Sequence, residues 1–323
     1  MKVSIIIPVY NVSAYIERCI ESVINQTYKD IECIIVDDAT PDDSIAKCKK
    51  MIAAYKGPII FSILHHEKNR GIAAVRNTGI IQATGDYIFY LDSDDSISSN
   101  CIEKLVEPIL SDDSIEMVTG NGDFCSDVYP LPSSVKHRET MSNYEYTSNA
   151  EVRNLFFYQK GYFGWVWNRL IKRSFIEQNK LYFKEGIKWE DALWTFFVLK
   201  YLRHAIFIPD ITYHYCLRPQ SITKGSTHEE LLLNYSVIYL EIANNFTKEE
   251  SDIEAKYYLK KLMSYLFQCP DNPNYVISAK LFKKTLAEGH CLKELLLLEV
   301  TMLLSKLRIG KWMYRTKQHL NRK

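Results

Sequence analysis

The sequence predicts an α/β protein with a Rossmann-like, mostly parallel sheet flanked by helices and a C-terminal helical extension. Apolar, β-branched runs alternate with amphipathic helical segments between Val3 and Leu91, which is typical of a parallel sheet with right-handed crossovers. Beyond Thr223 the apolar residues follow a helical spacing almost throughout. Because 323 residues exceed the usual size of one hydrophobic core, we expect two regions, 1–223 around the sheet and 224–323 made of helices.

Four strands and three intervening helices are predicted in the first hundred residues. The strands are continuous apolar runs, as in strands buried on both faces of a sheet, and they lie at 3–7, 33–36, 59–64 and 87–91. The helices carry one apolar stripe each and lie at 13–26, 43–55 and 71–83. A further helix is predicted over 97–110, a loop or lid over 120–150, and ordered structure again over 156–194.

Composition and cysteine placement limit the class of protein. Hydrophobic residues make up 47% and charged residues 24% of the chain, the balance of a folded globular protein. The formal net charge of +1 gives no basic excess, so we expect no nucleic-acid partner. The eight cysteines include no C-x-x-C pair, which predicts reduced, mostly buried thiols in the cytoplasm rather than a disulfide framework. No segment approaches the roughly 18 apolar residues of a membrane span, and the N-terminal apolar run is too short for a signal peptide.

Polar residues follow three of the predicted strands, at the point where each strand ends. These clusters are Pro8-Val9-Tyr10-Asn11, Asp37-Asp38-Ala39-Thr40 and Asp92-Ser93-Asp94-Asp95. Ligands of open α/β sheets bind beyond the carboxyl ends of the strands. We therefore expect the three clusters to converge on one crevice.

The third cluster places Asp92, Asp94 and Asp95 within four positions directly after a strand. Carboxylates at a rigid strand end are hard oxygen ligands for Mg²⁺ or Mn²⁺, and Mg²⁺ binds through one or two carboxylates plus substrate phosphates. The alternative is a charge cluster at the N-terminus of the helix predicted over 97–110, with a nearby serine as its cap. The residues alone leave both interpretations open.

Two other groups of polar residues belong to the same edge of the predicted sheet. Asp37 and Asp38 end the second strand, where one carboxylate can accept hydrogen bonds from a nucleoside while the other braces the loop. Arg70 and Arg76 lie near the start of the third helix, and arginine is the natural planar partner of phosphate oxygens. A solvated helix face is the alternative for the arginines.

Four motifs occur in order along the first hundred residues. They are Ser4-Ile5-Ile6-Ile7-Pro8-Val9-Tyr10-Asn11, Ile35-Val36-Asp37-Asp38, Asn69-Arg70-Gly71 with Ala74-Val75-Arg76-Asn77-Thr78-Gly79, and Gly85-Asp86-Tyr87-Ile88-Phe89-Tyr90-Leu91-Asp92-Ser93-Asp94-Asp95. In this order and spacing they resemble glycosyltransferase family 2. The resemblance covers 1–118 strongly and 160–223 more weakly, through Trp167-Asn168, Glu190-Asp191 and Ser221-Ile222-Thr223. It hardly extends to the tail.

The resemblance implies a GT-A fold and an inverting hexosyl- or N-acetylhexosaminyltransferase. The donor would be a nucleotide-diphospho-sugar, usually a uridine one, and the acceptor a glycan or lipid-linked hydroxyl in surface polysaccharide synthesis. The resemblance also implies a nucleotide-sugar-binding half over 1–118 and an acceptor-side half over 119–223. Both halves would belong to the catalytic domain.

Roles for individual residues follow from the same resemblance. Pro8 and Tyr10 would flank the nucleobase of the donor. Asp38 would bind the nucleobase or the ribose, and Arg76 would lie near the diphosphate. The acidic motif Asp92-Ser93-Asp94 would hold Mn²⁺ or Mg²⁺ and the diphosphate, with Asp94 favoured over Asp92 as the direct metal ligand. The family commonly has Gly-Ser after the second aspartate, whereas this chain has Ala39-Thr40, a departure that bears on the turn and on base preference.

Residues further along the chain complete the implied site. Asp191 matches the second member of the family's acidic pair and is expected to be the general base that deprotonates the acceptor; an ordinary charge pair at a helix start is the alternative. His214 lies in a predicted strand where some relatives place a histidine metal ligand, and a structural histidine among aromatic residues is the alternative. Arg218, just before Ser221-Ile222-Thr223, either reaches the diphosphate or is a surface arginine.

The C-terminal end is basic and amphipathic. Residues 306–323 carry seven Lys or Arg and no acidic residue. An apolar stripe leads into this segment and consists of Leu296, Val300, Leu303 and Leu307. With Trp312 this end either docks on the anionic inner face of the plasma membrane or packs on the body with a solvated basic end.

Two competing functions stand beside the transferase. One is a nucleotide-sugar-binding module without turnover, and the other is a sugar nucleotidyltransferase. A nucleotidyltransferase is expected to have a glycine-rich loop with basic residues after its first strand, and Pro8-Val9-Tyr10-Asn11 has neither. The donor sugar, the acceptor and the oligomeric state are not specified by the sequence.

Overall fold

The computed structural model describes residues 1–126, 144–158, 165–217, 226–247, 252–288 and 292–306. Its residues divide into two compact units. The sheet unit comprises Met1–Arg153, Phe163–Gly186 and Phe197–Gly225, and the helical unit comprises Asn154–Tyr162, Ile187–Phe196 and Ser226–Lys323, each to the extent described.

Nine strands of the described chain form one sheet in the sheet unit. They are β1 Val3–Val9, β2 Ile31–Asp37, β3 Ile60–His65, β4 Tyr87–Tyr90, β5 Ser96–Ile97, β6 Met117–Cys125, β7 Tyr144–Tyr146, β8 Arg169–Lys172 and β9 Ala205–Cys216. Their order is β3-β2-β1-β4-β8-β6-β9-β5, and β7 pairs with β9. The first four strands are mutually parallel, whereas β8 runs antiparallel to β4 and β6.

Helices connect these strands and continue beyond them. In the sheet unit they begin with α1 Ile16–Ile24, α2 Ser44–Ala54, α3 Ile72–Gln82, α4 Cys101–Val106 and a short 3₁₀ helix at Glu107–Leu110. They continue along the chain as α5 Asn149–Tyr158, α6 Arg173–Gln178, α7 Glu190–Tyr201, α8 His228–Asn245, α9 Asp252–Gln268, α10 Pro273–Glu288 and α11 Leu292–Lys306. The prediction of an α/β sheet flanked by helices, with a helical C-terminal region, is confirmed. The sheet as a whole is mixed, because four of the eight strand pairings in the described chain are parallel and four are antiparallel.

Burial of the central strands and of one face of α1 explains why these segments pack together. Every residue of β1 and of β2 is buried, as expected for central strands covered on both faces. Helix α1 buries Ile16, Cys19, Ile20 and Val23 against the same core, which is the apolar stripe read from the sequence.

The segment after β4 differs from the single helix predicted over 97–110. Ser96 and Ile97 instead pair antiparallel with β9, and α4 begins only at Cys101. The side chain of Gln26 holds this start, since its amide donates to the Ser98 carbonyl (2.8 Å) and accepts from the Ile102 N–H (3.0 Å). Tertiary pairing therefore shortened a helix that the local pattern predicted to be longer.

The predicted loop over 120–150 is also partly wrong, because Gly120 and Gly122 lie within β6. A side chain on Gly122 would meet the Trp167 ring at 3.2 Å, and one on Gly120 would overlap Thr212. The glycines permit this close packing, so a composition typical of loops here marks a tightly packed strand. Tyr144–Tyr146 form β7, and 127–143 lie outside the described residues.

The prediction that the thiols are all reduced is corrected at one pair. Cys125 at the end of β6 is disulfide-bonded to Cys216 at the end of β9. The two residues are register partners on neighbouring strands, although 91 positions separate them in the sequence, so spacing could not reveal the pair. Cys19, Cys33, Cys48 and Cys101 are free and buried, as predicted. Burial raises the pKa of the Cys48 thiol to about 12.

The helical unit packs around buried aromatic side chains. The rings of Tyr239 and Tyr265 meet edge to face with centroids 5.5 Å apart, and the Tyr275 hydroxyl donates to the Leu232 carbonyl at 2.6 Å. Burial raises the pKa of Tyr265 to about 12. Within the described residues, no helix combines the length and apolar character needed to cross a membrane.

Candidate functional site

The loops after β1 and β2 are joined at the carboxyl edge of the sheet. The backbone N–H of Asn11 donates to the Thr40 hydroxyl oxygen (2.8 Å), and that hydroxyl donates to Asp42 (2.8 Å). Asp37 accepts the Thr40 N–H at 2.8 Å. Tyr10 is 45% exposed, so its ring presents a surface to solvent. Pro8 is buried in β1 and is the register partner of Val36 in β2.

The turn after Asp38 keeps a left-handed residue even though glycine is absent. Ala39 has φ +55° and Asn11 has φ +54°, a region that asparagine tolerates and alanine does not favour. The turn that the family commonly builds with glycine is therefore formed here by alanine, at a cost of roughly 1–2 kcal/mol. The Ala39-Thr40 departure leaves the turn in place.

Asp38 is buried and holds the turn that begins α3. Its Oδ1 accepts the Arg70 N–H (2.8 Å) and lies 2.7 Å from His66 Nδ1, and its Oδ2 accepts the Gly71 N–H (2.8 Å). The residue is only 2% exposed. Asp38 thus ties the end of β2 to the Arg70–Gly71 turn, and its contact with a base or ribose stays a prediction.

Arg76 lies on α3 and is 4% exposed, which rules out the solvated helix face. Its guanidinium donates to Asp92 Oδ1 at 3.0 Å and lies over the Phe183 ring, 5.4 Å from the centroid. The structure therefore brings the predicted diphosphate arginine and the first acidic-motif residue into one ion pair. A contact with phosphate remains a prediction.

The four residues of the acidic turn divide by burial. Asp92 and Asp94 are partly exposed, whereas Ser93 (5% exposed) and Asp95 (0%) are buried. Asp95 accepts the Tyr213 hydroxyl (2.7 Å) and the Cys216 N–H (2.8 Å). Burial, and then the charges of Asp94 and Asp92, raise the pKa of Asp95 well above its usual range. Asp95 fastens the turn to β9, so Asp92 and Asp94 are the two carboxylates left toward solvent.

These two carboxylates fit the one or two that Mg²⁺ takes from protein alongside substrate phosphates. His214 fits less well. Its Nε2 lies 3.1 Å from Ser98 Oγ and its Nδ1 2.6 Å from Asp123 Oδ1, so both ring nitrogens already have partners. The strand placement of His214 is confirmed.

The structure does not gather the predicted metal ligands into one set. Across the part of the chain that it describes, the only three potential ligand atoms within 4.8 Å of one another belong to Asp112, Glu145 and His204. Asp92, Asp94 and His214 are not so grouped, and their metal role stays a prediction.

Asp191 belongs to the helical unit, in the first turn of α7. Its Oδ1 accepts the Ala192 N–H at 2.9 Å, while its neighbour Glu190 is only 5% exposed. The chain enters the helix through Lys188, whose ammonium lies 2.6 Å from Glu230 and whose N–H donates to Asn234 (2.7 Å). Asp191 is the more exposed carboxylate of the pair, and its role as base stays a prediction.

Several predictions fall outside the described residues. They concern Arg218, Ser221-Ile222-Thr223 and the basic end after Lys306. Sequence reasoning also missed His66, which the geometry places against Asp38. Its signal was present, because His65 and His66 come at the end of β3, on the same edge as the other three clusters.

Comparison with known proteins identifies one family model, related glycosyltransferases and solved structures of the same fold. The family model described as Glycosyl transferase family 2 matches residues 4–179. YibD, an uncharacterized glycosyltransferase of Escherichia coli (strain K12), is 27% identical over 276 residues, covering 82% of this chain and 74% of YibD. Residues 1–349 of S. aureus TarS, solved with UDP-GlcNAc, have a TM-score of 0.66 at 18% identity, covering 98% of this chain and 92% of that one.

A second solved structure has the same fold. The mannosyltransferase PcManGT from Pyrobaculum calidifontis, solved with GDP-Man and Mn²⁺, has a TM-score of 0.56 at 14% identity, covering 96% of this chain and 85% of that one. The two likenesses confirm the expected GT-A fold.

Proposed function

This chain belongs to glycosyltransferase family 2, and we propose that it transfers a sugar from a uridine-diphospho-sugar to a hydroxyl of a glycan or lipid-linked acceptor in surface polysaccharide synthesis. The observation that carries the proposal is the Arg76–Asp92 ion pair beside the Asp92–Asp94 turn, at the strand ends where sheets of this kind bind ligands. Family membership supports turnover over a module that only binds nucleotide sugars.

The donor side of the proposal rests on Asp38 and Tyr10. Each carboxylate oxygen can accept two hydrogen bonds; Asp38 Oδ1 already has two partners and Oδ2 only one. Oδ2 therefore keeps capacity for a donor group of the nucleobase or ribose, and the exposed Tyr10 ring offers a flat surface on which a nucleobase can stack. TarS with UDP-GlcNAc supports a uridine donor, and PcManGT with GDP-Man shows that this fold also accepts guanosine.

The metal and diphosphate part of the proposal is a charge argument. Breaking the sugar–phosphate bond leaves a nucleoside diphosphate with growing negative charge. A Mn²⁺ or Mg²⁺ ion, when bound, supplies Lewis-acid stabilisation of that charge. Asp94, and secondarily Asp92, would hold the ion, Ser93 would support the diphosphate through the turn, and Arg76 would orient its oxygens. PcManGT was solved with GDP-Man and Mn²⁺, which supports a metal ion in this fold. His214 is the weakest member of the proposed ligand set, because both its ring nitrogens already have partners.

The acceptor side requires a base, because an alcohol must lose its proton as it attacks. In an inverting reaction the acceptor hydroxyl attacks from the face opposite the leaving diphosphate, so this base is not one of the groups assigned to the diphosphate. We assign this role to Asp191, the more exposed member of the Glu190-Asp191 pair. We also assign residues 1–223 to the catalytic domain, because they include every residue proposed here for the donor and acceptor sides.

Docking on the inner face of the plasma membrane is the last part of the proposal. On α11 the side chains of Leu296, Leu297, Val300 and Leu303 are 63%, 53%, 45% and 58% exposed. They precede a terminal segment with seven basic residues and no acidic one over 306–323. Apolar side chains next to basic ones favour an anionic bilayer surface.

A screen of nucleotide sugars for release of nucleoside diphosphate tests the transferase proposal. It should be run with Mn²⁺, with and without glycan acceptors, and with a sugar 1-phosphate plus nucleoside triphosphate as the nucleotidyltransferase control. Acceptor-stimulated release of UDP supports the proposal. Release of pyrophosphate in the control would support the nucleotidyltransferase, and tight donor binding without release would support a binding module.

A further inference from the structure

His66 bridges two elements of the sheet unit from a buried position. Its Nδ1 lies 2.7 Å from Asp38 Oδ1 and its Nε2 lies 2.9 Å from Thr78 Oγ1 on α3. Its backbone N–H donates to the Asp37 carbonyl at 2.9 Å. The His66 side chain is only 6% exposed, so the ring is fixed between the end of β2 and α3.

The partners determine where the ring proton lies. Asp38 is an acceptor and already receives the Arg70 N–H on the same oxygen, so Nδ1 must carry a proton and donate. Nε2 then accepts the Thr78 hydroxyl proton in the neutral ring, or donates to that oxygen in the charged ring. In either case His66 presents one fixed N–H to Asp38.

The contact has a consequence for the orientation of the carboxylate. Three donors, from His66, Arg70 and Gly71, fix both oxygens of Asp38 and leave acceptor capacity on Oδ2 in one defined direction. Thr78 lies two positions after Arg76 on α3. His66 therefore joins the group assigned to the base or ribose to the helix that carries the group assigned to the diphosphate.

We propose that His66 is a positioning residue for donor binding, acting through Asp38. The proposal rests on the proposed function, since it presumes that Asp38 contacts the nucleoside. The proposal predicts different roles for the adjacent residues His65 and His66. His65 is bonded to Asp37, but its side chain is 49% exposed, and nothing connects it to Asp38 or α3 among its described contacts, so it is a matched control.

Two substitutions separate the contacts of the ring. In His66→Asn the amide nitrogen can occupy the place of Nδ1 and keep the bond to Asp38. In His66→Gln the amide reaches the place of Nε2 and keeps the bond to Thr78 while losing the one to Asp38. We expect His66→Gln to weaken UDP binding in Mn²⁺ by about tenfold, the effect of roughly one lost hydrogen bond to a charged group. We expect His66→Asn, Thr78→Val and His65→Gln to stay within about threefold of the wild type.

The measurements are UDP and GDP affinity by calorimetry, thermal midpoints, and amide hydrogen exchange of Arg70 and Gly71. Exchange needs no ligand and should be faster in His66→Gln than in His66→Asn, because a freed carboxylate protects these two N–H groups less. A purely structural histidine would lower the thermal midpoint of both variants without separating their UDP affinities.

The outcomes distinguish this proposal from the proposed function. If the wild type binds UDP and His66→Gln binds it as tightly as His65→Gln does, the role of His66 is overturned while the transferase stands. If the wild type binds neither UDP nor GDP, the donor assignment fails and takes the donor role of His66 with it. Unchanged exchange at Arg70 and Gly71 in His66→Gln also overturns the proposal, whatever the nucleotide result.

Discussion

The Tyr213 hydroxyl donates to the buried carboxylate of Asp95 at 2.7 Å and accepts the Asp92 N–H at 3.2 Å. One phenol on β9 therefore holds two residues of the acidic turn. Burial, followed by the charges of Asp95 and Asp92, raises the pKa of Tyr213 well above its usual range, so the group is a neutral donor at all working pH values.

Tyr213→Phe is expected to destabilise the protein by about 1–3 kcal/mol, because it leaves a buried carboxyl and a backbone N–H each short of a partner. Urea unfolding followed by circular dichroism measures the change. Tyr201→Phe, at a residue 39% exposed on α7, is the control and should lie within about 0.5 kcal/mol of the wild type. Equal stability of the two variants would show that the hydroxyl does not support the turn.

Asp94→Ala should remove the metal dependence of UDP binding. Asp94 is a partly exposed carboxylate of the turn whose neighbour Asp95 is committed to β9, and a cation bound through one or two carboxylates loses much of its site when one is deleted. Calorimetric titration of UDP with Mn²⁺ and with chelator measures the ratio of affinities. Asp113→Ala, at an exposed acidic residue, should leave the ratio unchanged. A ratio in Asp94→Ala equal to that of the wild type would remove Asp94 from the site.

Asp191→Asn should retain UDP and metal binding but lower kcat by about 10² to 10⁴, the usual contribution of general-base catalysis. The substitution is nearly isosteric, and an amide cannot accept the acceptor proton. The matched variant Glu190→Gln changes the buried member of the pair and should have a smaller effect, or one mainly on KM. An Asp191→Asn enzyme within a few-fold of the wild type argues against the assignment, and lost donor binding would indicate a structural role instead.

Ala39→Gly should stabilise the protein by about 0.5–1 kcal/mol. At φ +55° alanine carries a conformational cost of roughly 1–2 kcal/mol, and glycine relieves it while adding entropy to the unfolded chain. Ala53→Gly, at an exposed helical position of α2, should instead lower the free energy of unfolding by about 1 kcal/mol. Denaturant unfolding of both variants checks the signs; a destabilised Ala39→Gly would mean that the turn carries no strain.

Truncation after Ser305 should reduce binding to anionic vesicles at low salt. The truncated chain loses all seven basic residues of the terminal segment but keeps the exposed apolar side chains of α11. Co-sedimentation with phosphatidylglycerol vesicles measures the difference, and phosphatidylcholine vesicles control for charge. Equal partitioning of both chains on anionic vesicles would assign the basic end to packing or solvation.

Much of the sheet unit could be predicted from the sequence because the strands β1, β2 and β4 are buried along their whole length. The run Val3 to Ile7 and the stripe of α1 are periodic signals that tertiary structure did not override. The positions of the polar clusters followed from these strands, since parallel strands end at one edge. Those features determined the fold class and the family.

Other features depended on contacts between residues far apart in the chain. Asp92, Asp94 and Asp95 are chemically alike in the sequence, yet Asp95 is withdrawn from solvent because Tyr213 and Cys216 lie beside it. Cys125 and Cys216 also depend on a long-range contact, because the pairing of β6 with β9 makes them register partners.

The sequence by itself determined the segments that form the first four strands, the acidic turn and the family, because hydrophobic periodicity and motif spacing depend on residues that are close together in the chain. Only the tertiary structure decided which carboxylates face solvent, that Arg76 pairs with Asp92, and that His66 fixes Asp38. The physical reason is that burial and hydrogen bonding are set by residues brought together from distant positions, and these neighbours shift the free energy of a charged group.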